Sequence, residues 1–141
     1  MALRWYTTVI DSGDPRKLAA WWAEALEWSM VYESDDECVI IPSWVDPAKL
    51  KETPWEQIGP GLVFVTVPEA KSTKNRLHID LAPHTSQDRD AEIERLERLG
   101  ARRIDIGQGE DVTWTVLADP EDNEFCVLSS RDVDGDAGGP G

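Results

Sequence analysis

One pattern occurs twice in this chain, and it restricts the fold more than any other feature. Arg4–Asp11 alternates, with Tyr6, Thr8 and Ile10 on one side and Trp5, Thr7, Val9 and Asp11 on the other. Lys74–Leu81 alternates in the same way, with Leu77, Ile79 and Leu81 facing one side and Arg76, His78 and Asp80 the other. A period of two is that of a β-strand with one buried and one polar face. Each strand pattern runs into a helical one, and short strand patterns follow each helix. The polar face of the two alternating strands is where functional groups are expected.

After the first strand, Ser12-Gly13-Asp14-Pro15 turns the chain into a helix. Asp14 is a good N-cap and Pro15 suits the first helical position. Leu18, Trp21, Trp22, Ala25 and Leu26 then recur at helical spacing and predict an apolar face that lies on a sheet. Strands are predicted near 29–33, 38–41 and 62–67. In the second half they are predicted near 76–82, 102–106, 112–117 and 124–129. The second helix is predicted near 89–99, capped by Asp88 or Asp90 and ended by Gly100. Gly107–Asp111 and Asp119–Asn123 are expected as turns, and the Asp- and Gly-rich residues 131–141 as a disordered tail.

Residues 42–60 interrupt the pattern. Pro42, Pro47, Pro54 and Pro60 punctuate them, and Trp44 and Trp55 sit among them. A loop of this length in a compact domain is usually functional or disordered, and tryptophans argue against disorder. Three roles stay open: a lid over a pocket, a dimer contact, or a loop pinned to its own domain by the two indoles.

The length, 141 residues, suits a single domain with a real core. No apolar run is long enough to cross a membrane, and the N-terminus lacks a signal-peptide pattern, so the expected location is cytoplasmic. Cys38 and Cys126 are then expected as a reduced, buried pair. The balance of 28 acidic against 14 basic side chains argues against nucleic acid as a partner. Acidity serves solubility, and it also attracts a cationic ligand. Seven tryptophans are many for this length, and several fall where a core does not need them.

The order is strand, helix, three strands, twice over. Together with Asp14-Pro15 and its helix, Lys74–Leu81, and Leu117-Ala118-Asp119-Pro120-Glu121-Asp122-Asn123-Glu124-Phe125, this resembles the vicinal oxygen chelate superfamily in its glyoxalase-like branch. That superfamily is also called glyoxalase/bleomycin resistance protein/dioxygenase. The resemblance spans residues 4–130. It implies an α+β fold of two βαβββ modules, about 4–67 and 75–130, in one domain over 1–130. The modules form an open, eight-stranded, barrel-like cleft, and members commonly pair as homodimers. It also implies metal ligands on the first and last strand of each module. Those positions fall on Thr7, Val65, His78 and Cys126. This set offers two donors at most, where a catalytic site needs about three, so neither metal nor other cofactor is expected.

The alternation gives the expected cleft lining: Trp5, Thr7, Asp11, Val65, Arg76, His78, Trp114 and Cys126, with Trp44 and Trp55 above it from the loop. Indoles with a few acids suit a small, flat, aromatic or cationic molecule. His78, with Asp80 on the same face, is the candidate catalytic group; the alternative is an inner-face histidine hydrogen-bonded to a neighbour. Cys126 is expected as a buried filler rather than a nucleophile. Two functions remain. One is a protein that binds and sequesters a small molecule, as drug-resistance members of the superfamily do. The other is a metal-independent lyase, isomerase or cyclase that uses His78 as general acid or base.

Overall fold

The structure is a computed structural model that describes residues 3–104 and 113–132. It divides into two compact units, Met1–Ala70 and Lys71–Gly141. Each is described by itself.

The first unit contains β1 (Thr7–Ser12), α1 (Pro15–Leu26), β2 (Ser29–Glu33), β3 (Glu37–Ile41) and β4 (Gly61–Thr66). Asp14 caps α1 by accepting from the Lys17 N–H, as its position predicts. The sheet runs β1-β4-β3-β2, with β1 and β4 parallel and the other pairs antiparallel. In register, Cys38 faces Phe64 and Ile40 faces Leu62, and all four are buried. Against that side α1 packs on β3 and β4, with Leu18, Ala19, Trp21, Trp22 and Ala25 buried. Trp21 and Trp22 meet edge to face, 5.1 Å apart. They are core, and their burial is the main apolar contribution of the helix. At Gly61 a Cβ would stand 2.8 Å from the Ile40 carbonyl, so only glycine lets β4 approach β3 there.

The second unit repeats the plan. It contains β5 (Ile79–Leu81), α2 (Arg89–Leu99), β6 (Arg102–Arg103), β7 (Thr115–Ala118) and β8 (Glu124–Val127), with sheet order β5-β8-β7-β6. β5 and β8 are parallel, as β1 and β4 are. Asp88, not Asp90, caps α2, and Gly100 ends it at φ 118°. Arg89 reaches the carbonyls of Val127 and Leu128 and the Thr115 hydroxyl, which ties the start of α2 to the ends of β7 and β8. The expected Gly107–Asp111 turn and residues 133–141 lie outside the described residues. Arg131 and Asp132 meet His84: the first forms a β-bridge with it, and the second accepts from its Nε2 at 3.0 Å.

Several predicted boundaries shift, each for a visible reason. β1 begins at Thr7 rather than Arg4, because its partner β4 begins at Gly61, opposite Thr7. β5 begins at Ile79 rather than Arg76. In register, residue 78 would face Glu124, the first residue of β8, so residues before it would face the turn and have no ladder partner. Arg76 and Leu77 form a bend there, and Leu77 is 89% exposed instead of buried. Just upstream, the buried Glu124 carboxylate accepts from Lys71 Nζ and from the Asn75 N–H, both at 2.9 Å. Burial alone would raise the Glu124 pKa. The Lys71 ammonium and the Asn75 N–H outweigh it and hold the group below the ordinary carboxylate range.

The Asp119–Asn123 segment is a tight turn, as expected, and its chemistry is structural. Asp119 is buried and accepts from the Glu121 N–H, the Asn123 N–H and Asn123 Nδ2 at 2.9–3.1 Å. Asp122 takes a left-handed conformation, φ 68°. Its carboxylate pairs with Arg102 at the surface. Replacing Asp119 by Ala strands these donors, so urea unfolding is expected to show a loss of about 2–4 kcal/mol. Asp122→Gly relieves the left-handed residue but loses an exposed ion pair, and should stay within about 1 kcal/mol of the parent.

Candidate functional site

In the second unit, Asp80 and Cys126 are direct neighbours across the β5–β8 pair. His78 lies two residues before Asp80, so all three side chains share the sheet face away from Phe125. His78 Nδ1 is 2.8 Å from Asp80 Oδ1 and 4.0 Å from Cys126 Sγ. His78 and Asp80 are exposed, whereas Cys126 is buried. The contact is made by Nδ1, so Nε2 is the ring nitrogen not engaged by Asp80. Cys126 belongs to an apolar cluster with Val116 and Leu128, and Trp114 packs against that cluster. Trp114 thus lies beside Cys126 in the second unit. Arg76 stays outside the strand, in the exposed bend.

The thiol of Cys126 is pushed up to about 11, first by burial and then by the charge and hydrogen bond of Asp80. At pH 8 about one molecule in a thousand would carry the thiolate, so Cys126 is no nucleophile in this state. In metal-free protein, alkylation of Cys126 by iodoacetamide, followed by peptide mass mapping, should be slow at pH 8. It should rise steeply toward pH 11. Asp80→Asn removes a charge that opposes the thiolate, so the rise should move to lower pH.

In the first unit, the sheet side away from α1 carries two rows. Tyr32 pairs with Val39, Val39 with Val63, and Val63 with Val9, so these four form one apolar row across all four strands. Beside it Val65 faces Glu37 on one flank and Asp11 on the other. Tyr32, Val9, Asp11 and Glu37 are exposed. The sequence marked Thr7, Asp11 and Val65 on this face. It missed Tyr32, Val39, Val63 and Glu37, because only the strand register shows which residues of β2, β3 and β4 share a row. Thr7 has its hydroxyl engaged by the Gly61 carbonyl at 3.1 Å.

The two loop tryptophans are tied to residues of their own unit. Trp44 meets Trp28 edge to face at 6.4 Å, and the Arg4 guanidinium lies 4.5 Å above Trp55 and 5.0 Å from Tyr6. Arg4 Nε also donates to the Ile58 carbonyl. The loop itself folds as two short 3₁₀ turns, Pro47–Glu52 and Trp55–Gln57. Both indoles remain open to solvent, Trp44 at 76% and Trp55 at 47% exposure, as is Trp5 at 70%. Each indole thus has a contact within its own unit and an outer face open to solvent.

The strand registers also correct one correspondence between the halves. If Val65 matches Cys126, then Asp11 matches Asp80 and Val9, not Thr7, matches His78. The first unit thus offers Val9, Asp11 and Val65 where the second offers His78, Asp80 and Cys126.

The sequence profile of the glyoxalase-like domain matches residues 7–128. The chain belongs to the glyoxalase-like domain family. Solved structures with this fold include a glyoxalase/bleomycin resistance protein/dioxygenase family enzyme from Burkholderia phytofirmans, at 13% identity and TM-score 0.65, covering 92% of this chain and all of that one, 100%. They also include the fosfomycin resistance protein FosX from Listeria monocytogenes complexed with Mn(II) and sulfate, at 13% identity and TM-score 0.66, covering 93% of each chain. FosX from Mesorhizobium loti matches at 13% identity and TM-score 0.61, covering 94% of this chain and 95% of that one. At this identity the likeness shows the fold. No curated protein matches the chain in sequence.

Metal chemistry within the glyoxalase-like fold can be tested against the donors present. His78, Asp80 and Cys126 each offer one ligand atom, and these atoms lie within 4.8 Å of one another. Donors around a tetrahedral ion with bonds of about 2.0–2.3 Å stand roughly 3–4 Å apart, so small side-chain shifts suffice. The expectation of no metal counted His78 and Cys126 only; the structure brings Asp80 in as a third donor. A divalent ion held there would supply Lewis acidity and an activated water.

Proposed function

We propose that this glyoxalase-like protein binds a small, flat organic molecule of aromatic or cationic character on the open face of its first sheet. The observation that carries this is the pair of adjacent rows: apolar Tyr32–Val39–Val63–Val9 beside acidic Glu37 and Asp11. An apolar strip gives contact area, and the flanking carboxylates favour a positive charge. Two members of the row, Val9 and Tyr32, are exposed large apolar side chains, which supports this reading. A net charge of −14 raises the encounter rate for a cation, an effect that fades with salt.

The role that suits such binding is sequestration of a toxic small molecule. The fosfomycin resistance proteins among the structural neighbours lend this support by their names alone. Pairing of two copies, common in the superfamily, belongs to the same proposal. A second reading is an enzyme in which His78 acts as general acid or base, favoured by the 2.8 Å contact to Asp80, which orients the ring.

The test is titration with an acridinium dye, a naphthol and a naphthalenesulfonate, followed by tryptophan fluorescence at low and high salt. The acridinium dye should bind most tightly, and salt should weaken it. Asp11→Asn combined with Glu37→Gln should weaken it about three- to tenfold, while the neutral probe changes little. Binding confined to small anionic keto acids, lost in His78→Ala and unmoved by the Asp11 and Glu37 changes, would favour the enzyme.

A further inference from the structure

The turn between β5 and α2 and the segment after β8 bring together His84, Ser86 and Asp132, which the binding just proposed does not use. We propose that Ser86 is a nucleophile that takes an acyl group from activated acyl donors, with His84 as its base. Ser86 Oγ lies 2.7 Å from His84 Nδ1, and Asp132 Oδ2 lies 3.0 Å from His84 Nε2. One further contact decides how the ring is protonated. The Ser86 backbone N–H also donates to Nδ1, at 3.1 Å. A backbone N–H only donates, so Nδ1 accepts, and the neutral ring keeps its proton on Nε2, facing the carboxylate. Nδ1 therefore turns its lone pair to the Ser86 hydroxyl, which donates to it. Serine, imidazole and carboxylate thus stand in the order used for acyl transfer, with the two ring nitrogens exchanged.

The backbone holds the three groups in place. The Arg131 N–H donates to the Pro83 carbonyl at 3.0 Å and the Thr85 N–H to the Arg131 carbonyl at 3.1 Å, which closes the bridge between His84 and Arg131 and brings Asp132 to the ring. Gln87 fixes the turn from the other end: its N–H donates to the His84 carbonyl at 2.9 Å, and its Oε1 accepts from the His84 N–H at 2.7 Å. In the reaction, Ser86 Oγ adds to the acyl carbonyl as its proton passes to Nδ1, and Asp132 faces the resulting imidazolium through Nε2–H. The Ser86 N–H, displaced from Nδ1 by that proton, becomes a donor beside the developing oxyanion. The adduct expels a phenolate or thiolate, which takes the imidazolium proton, and Ser86 is left as an ester. Water, giving its proton to Nδ1, then cleaves the ester to a carboxylic acid and free Ser86. All three side chains are exposed, so the oxyanion meets water rather than an enclosed set of donors. The substrate class is therefore aryl esters and thioesters, whose leaving groups depart with little help.

p-Nitrophenyl acetate is the probe. Full-length protein is mixed with it and quenched at intervals, and peptide fragmentation by mass spectrometry locates the acetyl group and gives its rate of gain. Ser86 should be acetylated faster than any other hydroxyl of the chain, and Ser86→Ala should lose the matching fast phase of p-nitrophenolate release. His84→Gln should slow Ser86 acetylation about a hundredfold, the low end of what a general base contributes. Asp132 acts through His84 as a positioning residue. Asp132→Asn should slow acetylation about tenfold, with the loss in the rate at saturating ester, and Asp132→Glu, which keeps a carboxylate, should recover most of it. All these side chains are exposed, and circular dichroism confirms the fold of each variant. The proposal is overturned if Ser86 takes no acetyl group while lysines do, or if it is labelled as fast in His84→Gln as in the parent. Either result would make the cluster a device that only closes the turn.

Discussion

Each half of this protein depends on one long-range contact: the parallel pairing of its first strand with its last. In the first unit Thr7 meets Gly61, and in the second Asp80 meets Cys126. Parallel neighbours need a long crossover, and here the crossover is a helix plus a hairpin. The remaining elements follow from this closure. One sheet side must be covered, and in the first unit α1 covers it with two tryptophans. The other side carries the Val9–Val63–Val39 row in the first unit and the Asp80–Cys126 pair in the second. A one-residue slip between the paired strands would exchange those two sides completely.

The elements around this closure were legible in the sequence wherever a local signal existed. Asp14-Pro15 marked the start of α1, Gly100 the end of α2, and Asp119–Asn123 the turn before β8, because caps and turns act through neighbouring residues. The extent of β5 was not legible. Its alternation runs on to Arg76, but alternation says nothing about where the partner strand stops. The partner stops at Glu124, so Arg76 and Leu77 fall into a bend although their pattern is that of a strand.

The candidate sites show the same division. His78 and Asp80 share a face because they are two apart on one strand, and that was visible at once. Their union with Cys126 required the β5–β8 register, which depends on contacts 46 or so residues apart in the chain. The row from Tyr32 to Val9 crosses four strands and was invisible for the same reason. Trp44 and Trp55 drew notice as unusual loop residues, yet they contact Trp28 and Arg4 of their own unit. The two units have thus diverged on a shared plan. One keeps an apolar and acidic surface, and the other keeps polar donors around a buried sulfur.

The register between β5 and β8 is the claim on which the second site stands. Nuclear Overhauser contacts in ¹³C,¹⁵N-labelled, metal-free protein measure it directly. The account predicts contacts linking the Asp80 backbone to Cys126 and the His78 ring to the Cys126 β-protons, with Phe125 showing none to that ring. Contacts from the His78 ring to Phe125 instead, with Cys126 turned to the other side of the sheet, would contradict it.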